Sequence, residues 1–394
     1  MSALFASFRN SAGLVVAGLI CNLLAALFLP IPTSAEDRDN STGSSRVSQG
    51  LPPSSGQSRI DRSTSTPKWT ISVEGIALER LGGGANRTLV ARVPGSVPFL
   101  ATSIASGTAA FNSNQLQQGF FAGPKLRLMY DNGSGYGVEL SYFNLFDQSA
   151  TNSFGPDNPA DWLVMRAPGG FWQTQDFPYQ AMVWSDSTNL YSAELNGRLE
   201  LSRRVTVLAG FRWFQLNDNL QGTLSPADRT SPEWKTTCPL CNLFQVTPDG
   251  PIGNLPPFWT AGTTNNLYGI QIGVDAKILQ FGRLSLDGRI TTGLFDNSAV
   301  QSAGVSIRKI VYPTTATANG AGFVSDASLQ LKYRVFKGLS LKAGYEALWF
   351  VGVALAPEQI DKTYAAPSGA SALGINHGSN VLFRGATFGL EYSF

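Results

Sequence analysis

Residues 381–394 read VLFRGATFGLEYSF, a strict alternation. Successive side chains of a strand point to opposite faces. Leu382, Ala386, Phe388, Leu390, Tyr392 and Phe394 therefore share one face, and Gly385, Thr387, Gly389 and Glu391 share the other. A face of aliphatic and aromatic groups that ends on rings is the pattern to look for upstream.

From Lys68 onward ten segments alternate in this way, at approximately 68–80, 122–131, 135–147, 188–201, 204–217, 265–279, 282–295, 324–336, 338–351 and 380–394. Each is long enough for the roughly 9 to 11 residues with which a tilted strand crosses a bilayer. DNGSGYG (131–137), SRR (202–204), FG (281–282) and FKG (336–338) read as tight turns, whereas the links 81–121, 148–187, 218–264, 296–323 and 352–379 are long. Short and long connections alternate throughout. A soluble sandwich has no reason to keep every long loop at one end. An outer-membrane barrel does: it has short periplasmic turns, long extracellular loops, an even strand number and both ends on the periplasmic side. The pattern predicts an all-β fold, a transmembrane antiparallel β-barrel of ten strands, or 12 if the longest loops hold further strand pairs.

The faces point the same way. One face carries Tyr136, Val138, Leu140 and Tyr142 on the third segment, Val205, Val207, Ala209, Phe211 and Trp213 on the fifth, and Tyr268, Ile270, Ile272 and Val274 on the sixth. Tyr142, Tyr191, Trp213, Tyr268, Tyr345 and Trp349 fall near the long-loop ends, and Trp69, Tyr130, Tyr136, Tyr333 and Tyr392 near the short-turn ends. Two rings of amphipathic aromatics around an aliphatic band match the two interfaces of a membrane.

The opposite face lines the lumen, and its charges balance. Glu74, Glu139, Glu194, Glu200, Asp275, Asp287, Glu346 and Glu391 stand against Lys125, Arg127, Arg198, Arg212, Lys277, Arg289, Lys332, Arg334 and Lys342. Eight-stranded barrels are just filled by side chains and wide aqueous channels need about 16 strands, so ten strands predict a narrow lumen. Gly344, Gly385 and Gly389 leave room there for long neighbours. Two readings stand side by side: a small pore of mixed charge, or an interior sealed by Arg and Glu pairs. Strand number favours the sealed or near-sealed state. Arg384 falls on the lipid face, near enough to the outer end to snorkel.

The other end of the chain sets the compartment. Arg9 precedes an apolar run to about Leu29, followed by Thr33, Ser34 and Ala35, the small residues that signal peptidase accepts. Residues 1–35 read as a secretory signal cleaved near Ala35. A transmembrane helix is the competing reading, but Pro30 and Pro32 break the run. Cys21 follows a large Ile20, which argues against lipid attachment. Residues 36–67 are Ser, Thr, Pro, Gly and charge, a composition that cannot bury enough surface to order itself, so they read as a periplasmic leader before a barrel spanning 68–394. With 29 Lys and Arg against 27 Asp and Glu, the chain offers no basic surface for nucleic acid. The expected partners are outer-membrane lipid, the barrel assembly machinery and small solutes.

The hairpins SAELNGRLELSRRVTVLAGFRWFQLNDNL (192–220), TNNLYGIQIGVDAKILQFGRLSLDGRITTGLFDNSA (264–299) and ASLQLKYRVFKGLSLKAGYEALWFVGVALAPEQI (327–360), with the first strand KWTISVEGIALER (68–80), resemble the putative outer-membrane β-barrel porin family of planctomycetes. The resemblance covers most of 68–394; 81–121 and 148–187 carry little of it. It implies the barrel fold and passive passage of small solutes, and it transfers no functional residues. Phe394 resembles the terminal aromatic that outer-membrane assembly machinery reads on bacterial barrels.

Chemistry is sparse. Cys238 and Cys241, in CPLC, read as a loop-stapling disulfide in an oxidising compartment. A redox motif would sit at a helix start near a βαβ pattern, and zinc would need further ligands beyond His377, the only histidine. His377 with Asp361 or Glu358 resembles the constellation of the ten-stranded omptin proteases, but the spacing shows no convergence at the barrel mouth. The reading is a non-enzyme without cofactor. It is a narrow porin by resemblance, with Glu194, Arg198, Arg212, Asp287, Arg289, Lys332, Arg334, Lys342 and Glu346 lining the lumen; the alternative is a non-conducting barrel acting through its loops. The apolar, Pro-rich stretches FGPDNPADWLVMRAPGGFW (154–172) and LPPFW (255–259) could fold inward as a plug or face outward as a contact surface.

Overall fold

The computed structural model describes residues 68–83, 86–94, 96–97, 107–116, 119–155, 162–165, 178–179, 181–225, 258–307, 310–366, 369–372 and 374–394. The expected signal, the leader and the Cys238–Cys241 pair lie outside the described residues. In chain order the strands are β1 (Lys68–Leu81), β2 (Thr88–Val93), β3 (Thr108–Asn112), β4 (Phe120–Asp131), β5 (Tyr136–Phe154), β6 (Trp162–Met165), β7 (Pro178–Tyr179) and β8 (Ala181–Ser202). They continue as β9 (Val205–Ser225), β10 (Phe258–Phe281), β11 (Leu284–Ile307), β12 (Ile310–Arg334), β13 (Leu339–Val353), β14 (Thr363–Ala366), β15 (Gly369–Ala372) and β16 (Ser379–Ser393).

Ten strands form a closed antiparallel barrel in the order β1-β16-β13-β12-β11-β10-β9-β8-β5-β4, with β4 returning to β1. These are the ten crossings expected from the alternation. Closure is made at the chain's two barrel ends: Trp69 N–H donates to Phe394 O at 3.0 Å, and Phe394 N–H donates to Trp69 O at 2.9 Å. The short strands do not enlarge the barrel to 12. β3-β2-β6-β7 make a separate four-stranded sheet and β14-β15 a hairpin.

Local chemistry explains the tight turns. Asn132 Oδ1 accepts from the backbone of Ser134 at 2.9 Å and Tyr136 at 3.2 Å, so a side chain replaces the ladder at the β4–β5 reversal. The β10–β11 and β12–β13 turns place Gly282 at φ 58° and Gly338 at φ 89°, where a side chain would be strained.

The lipid face is as expected. Ile270 is 71 % exposed, Leu294 68 % and Phe388 66 %, fractions that only a bilayer accommodates over a continuous band. Trp69 stands opposite Tyr130 with ring centroids 4.8 Å apart, and Tyr268 opposite Trp213, so the aromatics fall into rows by strand register. Arg384 is on this face and pairs with Glu79 on β1 at 2.9 Å.

The structure corrects the expected loops. β8 to β12 are 22, 21, 24, 24 and 25 residues long, more than the roughly 9 to 11 that a crossing needs. The link 296–323, expected as a loop, is a continuation of β11 and β12 paired out to Ile307 and Ile310. Above Leu294 the outward positions become Asp296 and Ser298: past the bilayer this face meets water, and the apolar signal stops while the pairing does not.

Candidate functional site

The barrel interior is layered, and the inward face of β9 passes through each layer in turn: Arg212, Phe214, Leu216, Asp218. The first layer is ionic and spans the lumen. Glu139 on β5 is fully buried and receives Arg198 from β8 and Arg289 from β11, across the barrel. Arg212 donates to Asp326 on β12 at 3.0 Å and lies 3.7 Å from Glu194. Lys125 on β4 meets Glu346 on β13 at 2.5 Å. Lys342 on β13 reaches Glu74 on β1 at 2.6 Å. Gly389 of β16 sits between those two strands, and a Cβ there would lie 2.7 Å from Glu74 Cγ. The nearest atom to that Cβ would be Val73 O at 2.2 Å, so glycine is what lets β16 lie this close to β1. Gln271 donates to Glu194 at 2.7 Å and Gln330 to Glu74 at 3.1 Å. Buried charges carry a desolvation cost that such a lattice offsets, and the cost is left uncompensated when one partner is removed.

The second layer is apolar and draws on every barrel strand. Ile76 and Leu78 (β1), Phe121 (β4), Phe143 (β5), Leu190 (β8), Phe214 (β9), Leu267 (β10), Phe295 (β11), Val324 (β12), Phe350 (β13) and Phe383 (β16) form one buried cluster. Phe350 packs edge-on against Phe214 at 5.0 Å and Phe383 at 5.9 Å, and Phe383 continues to Phe121 at 6.1 Å. The Arg212 guanidinium lies 4.3 Å from the Phe214 ring, so the ionic layer rests directly on this one.

The third layer is chain. After β13 the segment Ala354–Lys362 turns inward, with a 3₁₀ stretch over Ala356–Lys362, and Ala354, Leu355, Ala356, Gln359 and Ile360 are fully buried. Its backbone is held by side chains of the opposite wall. Asn265 donates to Ala354 O at 2.7 Å and accepts from Ala354 N–H at 2.7 Å. Thr263 donates to Ala354 O at 3.0 Å, and Asn297 to Gly352 O at 2.9 Å. Asp218 accepts Ala356 N–H at 2.9 Å while holding Arg80 at 2.5 Å and Thr188 at 2.8 Å. Above it Leu89, Phe111, Leu163, Trp184 and Ile360 make a further cluster that ties the four-stranded sheet to the extended strands.

Of the residues expected in the lumen, Glu194, Arg198, Arg212, Arg289, Lys342 and Glu346 are drawn together in the ionic layer. Asp287 and Lys332 pair nearer the short turns at 3.1 Å, where Lys332 also meets Glu391 at 3.1 Å. Arg334 lies at the mouth itself. Sequence reading missed Asp326, Arg80 and Asp218, although each continues the inward alternation of its strand. Ala354–Lys362 of the 352–379 link is folded into the barrel; most of the stretches 154–172 and 255–259 lies outside the described residues. His377 packs on β12, where a Cβ on Gly320 would meet its ring at 2.6 Å, and Glu358 accepts from Asn376 at 2.5 Å. Among the described residues no group of His, Cys, Asp and Glu is arranged to hold a metal ion.

With this geometry in view, the comparisons are informative chiefly through the family. No curated protein matches the sequence. Among solved structures, the chain is similar to the outer membrane protease OmpT of Escherichia coli, at 11 % identity over 84 % of this chain and 98 % of that one with a TM-score of 0.42. It is also similar to the toluene transporter TbuX of Ralstonia pickettii, at 10 % identity over 84 % and 77 % with a TM-score of 0.29. The toluene transporter TodX of Pseudomonas putida aligns at 9 % identity over 83 % and 89 %, TM-score 0.29. Residues 182–394, from β8 to the last strand, match the family model described as putative beta barrel porin-7, and the chain belongs to that family of outer-membrane β-barrels.

Proposed function

We propose that this protein is a non-conducting outer-membrane barrel, a membrane anchor that presents the structure built on its long outer strands. The observation that carries this reading is the apolar layer to which all ten barrel strands contribute. Moving an ion from water into a medium of that kind costs on the order of 20 kcal/mol before relaxation, and the ionic layer and inward segment close the same path.

The family description favours a second reading, a porin for small solutes. In that case the Ala354–Lys362 segment and the phenylalanine layer would both have to move, and Arg212, Glu194, Lys332 and Glu346 would then set ion preference.

Planar-bilayer recording of protein extracted folded from outer membranes separates the two. The closed barrel predicts no current steps. Reproducible steps whose selectivity follows substitution of Lys332 or Glu346 would overturn it in favour of the porin.

A further inference from the structure

Charge is neutralised in the middle of the barrel and left unneutralised at one end. A cavity of about 800 Å³ opens among the short turns, lined by Lys277, Arg283, Lys332, Arg334 and Lys337 with Lys68 at its rim. Its carboxylates are Asp287 and Glu391, and both are already engaged by Lys332 at 3.1 Å. Among the described residues no ion pair joins Lys277, Arg283, Arg334 or Lys337 to an acidic side chain, and counting the terminal carboxylate of Phe394 still leaves a positive excess. A second cavity of about 230 Å³ shares Lys277, Asp287 and Lys332 with the first and adds Arg203 and Arg204 together with Asp131, Glu200 and Asp275, so that cations still outnumber carboxylates in its lining. It ends against Arg289 and Arg198, the floor of the ionic layer.

Two of these cations are not explained by the lipid interface. Lys277 and Arg334 stand two positions on from the inward residues Asp275 and Lys332 on β10 and β12, so they face the mouth of the lumen and not the lipid. A sealed barrel has no need of cations without an ion pair there, since every cation named in the layer above meets at least one carboxylate. Clustered like charges raise each other's energy, and that cost is recovered when a multivalent anion binds among them. Arginine forks and lysine ammonium groups converging on one concave surface suit phosphate, which offers several strong acceptor oxygens and more than one charge.

We propose that the short-turn end of the barrel is an anion-binding vestibule that takes a phosphate-bearing ligand, with Lys277 and Arg334 as its central contacts. The site stands whether or not the barrel conducts. Phosphate can come from a soluble polyanion or from a phospholipid headgroup, and the test distinguishes them.

Folded protein in nonionic detergent is titrated with inorganic tripolyphosphate by calorimetry, and retention of phosphatidylglycerol is followed by native mass spectrometry. Binding of tripolyphosphate that falls at least about tenfold in Lys277→Gln/Arg334→Gln, survives Lys277→Arg/Arg334→Lys and is unaffected by Lys362→Gln at the other end supports a soluble ligand. Retention of phosphatidylglycerol alone, with the same dependence, assigns the site to the headgroup. Retention of neither, or binding unchanged in the double variant, overturns the proposal. Both side chains are exposed, so the variants keep the barrel fold, which far-ultraviolet circular dichroism checks.

Discussion

Asn265→Ala tests whether the inward segment is held as described. The Asn265 side chain is fully buried and makes a reciprocal pair with Ala354, accepting its N–H and donating to its carbonyl, both at 2.7 Å. It also accepts from Asn297 at 3.0 Å. After truncation the Ala354 carbonyl keeps Thr263 at 3.0 Å and Asn297 keeps Gly352 O at 2.9 Å. The Ala354 N–H keeps nothing. An orphaned buried donor costs about 1–3 kcal/mol, and the lost bond to the carbonyl adds about 1 kcal/mol. Seating of the segment should therefore weaken by roughly 2–4 kcal/mol, or roughly 30-fold to 900-fold in its opening equilibrium at 1.36 kcal/mol per decade.

Hydrogen exchange followed by mass spectrometry reads this directly, because the amides of Ala354 and Ala356 exchange only when the segment leaves its seat. Peptides covering 352–362 should exchange faster by that factor, while peptides from β13 around Lys342–Leu348 keep their protection. Exchange of 352–362 within threefold of the unaltered protein would refute the argument that side chains of β10 and β11 hold the plug. Equal acceleration along β13 would refute its local character and assign Asn265 to the stability of the whole barrel.

Replacing Phe214, Phe350 and Phe383 together by Ser should wet the apolar layer yet leave planar bilayers silent, because the inward segment and the ionic layer still close the path; current steps from the folded triple variant would make the apolar layer the sole seal. Lys342→Ala alone should destabilise the barrel by about 3–5 kcal/mol, because it leaves Glu74 buried without its partner, whereas Lys342→Met with Glu74→Gln should recover most of that in urea unfolding from micelles. Equal losses in single and double variants would show that the pair is not the unit. Deleting Phe394 removes the two backbone bonds to Trp69 that close the barrel and the expected assembly signal; the fraction recovered in the outer membrane at matched expression should fall several-fold, and an unchanged fraction would dismiss that role.

The crossings were legible because a bilayer on one side and a crowded lumen on the other impose a two-residue period with strong contrast. Where the contrast ends, so did the reading. TTATANGAG at 314–322 is strand in β12, yet Thr, Ala, Asn and Gly make no apolar face, and nothing in such a stretch distinguishes a solvated strand from a loop. The charges of the ionic layer were visible from alternation alone. Their pairing was not, since Arg289 and Glu139 lie on opposite walls, far apart in the sequence. The phenylalanine layer was visible and passed over: Phe214, Phe350 and Phe383 occupy the inward alternation beside the charges that were counted. Asp218 needed only one further step along the inward face of β9, past Arg212, Phe214 and Leu216. The inward segment had a signal as well. Alternation fails at Val353–Ala356, where adjacent residues are all apolar, and a run without a polar face has to be buried on every side.

The ionic and apolar layers depend on each other, and this is why the proposed closure is a property of the interior as a whole. Charges that span a lumen keep their mutual attraction only where water is kept from screening them. The rings of Phe214 and Phe143 supply that exclusion on one side, with Arg212 lying 4.3 Å from the first and 6.0 Å from the second. In the other direction, an apolar layer stays dry only if no unmatched charge beneath it draws water in. The lattice of Glu139, Glu194, Arg212 and Arg289 leaves none at that boundary. Toward the short turns the exclusion ends: Lys332 still meets Asp287 and Glu391, but among the described residues Lys277 and Arg334 have no ion pair, in a cavity wide enough for water or for an anion. The change from matched to unmatched charge therefore marks the point inside the barrel where the protein stops defending a dry interior and begins to present a binding surface.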